Sequence, residues 1–196
     1  MRNTTSIGSQ SGVSRIAGIG YLVIIAAGII SHFAIRGSLI KAEDAEATAQ
    51  NIIDAETLFR LSIAGDIVML IFDVVVGIAL FMLFRSISPG LMILATSFRI
   101  VHAAVYGATL LSLFIIVTLV SGAAELPSAD AALVQNFADV HAYGYSLALI
   151  FFALSLLTIG YLVVKSGAVP RIIGVLLVFA GVGYLVDSFA RVLLTN

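Results

Sequence analysis

Five long apolar stretches fill most of this chain of 196 residues. About 20 apolar residues in helical form cross a hydrocarbon layer of about 30 Å. A chain with five such stretches is therefore expected to be all-α: a polytopic membrane bundle of five transmembrane helices. The composition agrees. Hydrophobic residues make up 61% of the sequence and charged residues 11%, and the mean hydropathy is +1.15, far from the range of soluble domains. A net charge of −1 gives no basic field for nucleic acid. With no cysteine, thiolate catalysis, disulfides, Cys-ligated zinc and iron–sulfur clusters are excluded. With no tryptophan, the interfacial belt must rest on tyrosines and charged anchors.

Residues 1–14 are polar and rich in Ser, Thr and Gly, and read as a flexible cytoplasmic tail. Residues 15–196 read as a single transmembrane domain, with helices expected at 15–35, 61–84, 91–120, 138–164 and 171–194. The first apolar run is too long for a typical signal-peptide core, and no clear small-x-small site follows it, so it reads as a retained helix. Between the first two spans, residues 41–60 are acidic but place Ala45, Ala49, Ile52, Ile53 and Phe59 at helical spacing. That pattern predicts a short extracytoplasmic amphipathic helix that caps the bundle; its acidic face disfavours anionic lipid. Pro89, Pro127 and Pro170 all fall in connections, so no span is broken by proline.

Loop charges set an expected orientation. Arg2, Arg15, Arg85, Lys165 and Arg171 lie on one side, and Arg36, Lys41 and Arg60 on the other, together with most of the acids. The positive-inside rule then puts the N-terminus in the cytoplasm and the C-terminus outside.

Charged and polar groups inside the spans are the best lead to function, because a charge at a helix centre costs about 2.5–3.5 kcal/mol even on the mildest insertion scale. Asp66 and Asp73 are seven residues apart and share a face, which Ser62 and Gly77 extend. Arg99, His102, Tyr106 and Thr109 form a second stripe, and Tyr184, Asp187, Ser188 and Arg191 a third. Asp139 and His141 point to nearly opposite sides near the mouth of their helix, so that one of them can reach water. At about 1.5 Å per residue, Asp73, Arg99 and His102 fall near mid-membrane. Asp66, Asp139, His141, Asp187 and His32 fall in the outer third. Asp73 is expected to pair with Arg99, with His102 adjacent, and a structural ion pair that fixes helix register is the favoured reading of that layer.

Several short segments carry a family resemblance: Arg15-Ile16-Ala17-Gly18 with Tyr21; Leu58-Phe59-Arg60 followed by Asp66; Phe98-Arg99; His141-Ala142-Tyr143-Gly144; Ser166-Gly167 with Pro170-Arg171; and Gly183-Tyr184 with Asp187-Ser188-Phe189. In this order they resemble the bacterial multipass membrane family called domain of unknown function 4386, over residues 15–194. The resemblance implies a prokaryotic cytoplasmic-membrane protein. It implies no activity and carries over no catalytic residue.

Three functions remain open. The first is binding of a small amphipathic or lipid-like ligand in an outward-opening pocket, with Asp66, Asp73, Arg99, His102, His141, Tyr184 and Asp187 as candidate residues and a cavity expected between the second, fourth and fifth spans. The second is an enzyme acting on a lipid or quinone-like substrate, with His141 or His102 as acid–base and a carboxylate to orient it. The third is an assembly partner with a fully paired polar core. No cofactor is expected; a metal on His32, His141, Asp66 and Asp187, or a haem on His102 and His141, is the lesser alternative, since the histidines lack local ligand spacing. Expected partners are membrane lipids, the amphipathic ligand and a second copy of the chain. Gly174, Gly181 and the Ala103–Gly107 pair are expected to serve close helix packing, and Tyr143 and Tyr145 to be interfacial anchors.

Overall fold

The computed structural model describes residues 5–167 and 169–194, with side chains from residue 11 onward. Helix α1 (Thr5–Gly28) runs on as a π-helix over Ile29–Arg36 and a last turn at Gly37–Leu39. Then come α2 (Ala45–Asp54), α3 (Glu56–Phe84), α4 (Pro89–Val120), α5 (Ser128–Ser166) and α6 (Arg171–Leu194), and the described residues contain no strand. Five stretches are long and apolar enough to cross a membrane: Ser11–Leu39, Glu56–Phe84, Pro89–Val120, Ser128–Ser166 and Arg171–Leu194. The all-α, five-span architecture expected from the sequence is the one observed.

Several boundaries differ from expectation. Residues 1–4 lie outside the described residues, but 5–14, read as tail, are helical. Once a long apolar helix has formed, each further residue adds a hydrogen bond without a new nucleation cost, so polarity alone does not stop it. The amphipathic segment is shorter than 41–60. Asp44 caps α2, its Oδ1 accepting the Ala47 N–H at 2.8 Å, and helix geometry breaks at Ala55. Residues 56–60 therefore belong to the span that follows. The fourth span begins ten residues before the expected 138, because Asp130 sits favourably in its first turn and Ala131, Val134 and Ala138 bury one face.

The described chain forms two compact units. The first comprises residues 5–23, 71–104, 146–167 and 169–194, and the second 24–70 and 105–145. In the first, α6 lies against the end of α5 at glycines. A Cβ placed on Gly160 or on Gly174 would stand 2.8 Å from the other's carbonyl oxygen, and one on Gly181 would stand 3.0 Å from that of Ala153. Backbones this close leave no room for side chains, and small residues are what bring helices together in lipid. The expected packing role of Gly174 and Gly181 is what is seen.

In the second unit, α2 is tied down by polar contacts. The Thr48 hydroxyl accepts the Lys41 N–H at 2.8 Å and donates to the Lys41 carbonyl at 3.0 Å. Asn51 donates to the Leu39 carbonyl at 3.1 Å, and Ser128 donates to Glu46. Its own Ile52 is fully buried.

Candidate functional site

Each unit contains one buried polar cluster. In the first, α3 carries Asp73 and α4 carries Arg99 and His102. Arg99 Nε donates to Asp73 Oδ1 at 2.8 Å, and Nη2 lies 2.8 Å from the same oxygen. His102 Nδ1 donates to Asp73 Oδ2 at 3.1 Å. Arg99 Nη1 donates to the Tyr21 hydroxyl at 3.0 Å, and the guanidinium lies 5.2 Å from the ring centres of both Tyr21 and Phe152. The approach depends on Gly77: a Cβ there would stand 3.1 Å from Arg99 Cδ. Arg99 is 1% exposed. A planar guanidinium that meets a carboxylate, a phenol and two ring faces is a geometry that lysine could not reproduce.

The second cluster centres on Asp66, which is 0% exposed. Arg36 grips it with both terminal nitrogens, Nη1 to Oδ2 at 2.6 Å and Nη2 to Oδ1 at 3.1 Å. Ser62 accepts from Arg36 at 3.2 Å and donates to the Phe59 carbonyl at 2.7 Å. Arg36 comes from the π-helical end of α1, where Ser31 fits against Gly65 because that glycine has no Cβ. π-Helical turns are rare and concentrate at functional sites. His32 Nε2 lies 3.5 Å from Asp66 Oδ1 and shares a 2.9 Å hydrogen bond with the Tyr106 hydroxyl. Tyr145 packs against both rings, at 4.8 Å from His32 and 5.0 Å from Tyr106.

His141 completes this cluster, 5.8 Å from Tyr106 ring to ring. Its Nδ1 lies 3.3 Å from the Thr109 carbonyl oxygen. A carbonyl can only accept, so Nδ1 carries the proton and Nε2 of the neutral ring presents a lone pair. That Nε2 is buried without a hydrogen-bond partner. Buried polar atoms are nearly always satisfied, so each exception calls for an explanation.

The expected trio of Asp73, Arg99 and His102 thus meets as read. Of the other candidates, Asp66 is held by Arg36 in the second unit, and Asp187, in the first, is half exposed and pairs with Arg191 at 3.1 Å along its own helix. Tyr184 packs edge-on against Phe152. Asp139 is exposed and bonds Gln135, whereas His141 is buried, which resolves that pair. Tyr145 belongs to the cluster rather than to an interface. A groove of about 220 Å³ lies between α3 and α4, lined by Ile78, Phe81, Ile93, Thr96 and Ser97, and differs from the expected cavity between the second, fourth and fifth spans. Among the described residues, no three His, Asp or Glu side chains are grouped to hold a metal.

Sequence reasoning missed Arg36, Tyr21 and Phe152. Arg36 was counted as a loop cation; its signal was its place four residues after His32, at the end of an apolar run that Asp66 could reach.

Five apolar helices that bury two charged clusters define a multipass integral membrane protein with ionisable groups held inside its spans. The chain belongs to the family Domain of unknown function (DUF4386), whose model matches residues 16–196. An uncharacterized protein of Archaeoglobus fulgidus is 32% identical over 130 residues, which covers 66% of this chain and 67% of that protein. No solved structure matches.

Proposed function

We propose that this is a binding protein of a prokaryotic cytoplasmic membrane, and that the second cluster holds a small amphipathic ligand through a hydroxyl or N–H group. The buried, unpartnered Nε2 of His141 carries the proposal. Its lone pair calls for a donor, and a donor on an apolar body suits the Tyr106 and Tyr145 rings around it. Tyr145, one turn along α5 from His141 and only half-buried, is the side chain that yields to admit the ligand. Arg36 and Asp66 neutralise one another and hold the cluster in place.

The first cluster acts in this reading as a structural pin. His102 has the carboxylate partner that an enzyme would need, but Asp73, Arg99 and Phe152 surround it, and it is 5% exposed. The binding reading is therefore preferred to acid–base catalysis.

In the membrane the N-terminus is cytoplasmic and the C-terminus extracytoplasmic. The bias of basic residues supports this, more so once Arg36 is seen to be committed to Asp66 rather than to a loop.

Native mass spectrometry of the protein released from mild detergent tests the binding reading. The expected result is a discrete extra mass, the same across lipid backgrounds, that His141→Phe abolishes while helical circular dichroism is retained. A bare chain in every background overturns the reading, as does a mass that His141→Phe leaves unchanged.

A further inference from the structure

Helix α6 has two opposed faces. Gly174 and Gly181 pack on the end of α5, and Ser188, seven residues further on, is buried on the same face. At about 100° per residue, Leu176, Ala180, Gly183, Asp187 and Leu194 fall on the opposite side of the helix, with Arg191 at their edge. All six are exposed, and a Cβ on Gly183 would meet nothing within 4 Å. The side chains of Asp187 and Arg191 are 54% and 55% exposed. Asp187 lies about 24 Å along the helix from Arg171, still within a hydrocarbon core of about 30 Å. Even paired with Arg191 along the helix at 3.1 Å, a charged pair at that depth on a face turned away from its own bundle is costly against lipid.

We infer that this face of α6 is the contact surface for a second copy of the chain, paired about a two-fold axis, with Asp187 of each copy meeting Arg191 of the other. Charge complementarity selects this occupant. The face carries both signs four residues apart, so it complements itself under a two-fold, the commonest oligomer symmetry. Helical side chains lean towards the N-terminus, which brings Arg191 back to the level of the neighbour's Asp187. An anionic headgroup on Arg191 would meet the Asp187 carboxylate as a like charge. Ala180 and Gly183, two turns and one turn before Asp187, let the two backbones come close.

The chain has no native cysteine, so single cysteines report contacts directly. Gly183→Cys in the full-length protein, oxidised in native-like membranes, is expected to form a covalent dimer. Leu111→Cys, at an exposed position on α4, sets the level of random collision. Adding Asp187→Arg to Gly183→Cys should lower the cross-linked fraction about tenfold, equivalent to about 1.4 kcal/mol, and adding Arg191→Asp as well should restore it. Where Asp187→Arg fails to fold, Gly183→Leu replaces it, with the dimer fraction read by native mass spectrometry and circular dichroism confirming helix content. The inference is overturned if Gly183→Cys cross-links no more than Leu111→Cys, if Asp187→Arg leaves cross-linking unchanged, if the swap fails to restore it, or if Gly183→Leu leaves the dimer intact.

Discussion

The two buried clusters are made of nearly the same parts and do different things with them. Each sets an aspartate against an arginine, with a histidine and a tyrosine close by. Around Asp73, two spans and Tyr21 converge on one guanidinium, and both carboxylate oxygens are taken. Around Asp66, the carboxylate is equally well held, but a second histidine sits beside it with one nitrogen unsatisfied. Residue type therefore does not tell a pin from a site. What separates them is the surroundings of the atom left over: Arg99 Nη2, without a hydrogen bond, still lies 2.8 Å from Asp73 Oδ1, whereas His141 Nε2 has no such partner and has chemistry left for something else.

That contrast can be broken by mutation. The largest effect is expected from Asp73→Ala, which leaves Arg99 charged and buried; losing one partner of such a pair costs about 3–5 kcal/mol, read as a lowered unfolding midpoint in detergent. The double change Asp73→Leu with Arg99→Met should be milder than Asp73→Ala, since no charge is then stranded. Tyr21→Phe comes next: it removes a hydrogen bond to a charged group, worth about 1.5–3 kcal/mol. The smallest effect on stability is expected at His141, where Phe gives up one neutral hydrogen bond worth about 0.5–1.5 kcal/mol but should remove any bound mass. If His141→Phe destabilised as much as Asp73→Ala, the second cluster would be a pin too, and the distinction would fail.

The spans were legible because apolar length is read directly from the sequence, and the pairing of Asp73 with Arg99 because both sit deep in spans where a lone charge is costly. Arg36 was not legible. It follows an apolar run and precedes a polar one, so it looked like an interfacial cation, and only the π-helical end of α1 and the small Gly65 bring it to Asp66. Asp187 misled in the opposite direction. Its stripe with Tyr184 and Ser188 suggested an inward face, but Gly174 and Gly181 line up with Ser188 on the packed side and leave Asp187 exposed at the stripe's outer edge. A polar stripe marks one face of a helix; the close backbone contact decides which face is packed. The state of the His141 nitrogens lies beyond any sequence pattern, because it depends on the Thr109 carbonyl of another helix.

The salt bridge between α3 and α4 also bears on how the chain enters the bilayer. Asp73 and Arg99 lie on consecutive spans joined by the short turn at residues 85–88. Threaded alone, either helix would carry an uncompensated charge into hydrocarbon. Together they carry a neutral pair, and the turn keeps the partners close from the moment both have been synthesised. The Asp73–Arg99 pair therefore favours entry of α3 and α4 as a hairpin, while Asp66 of the same α3 is neutralised only by Arg36 of the preceding span.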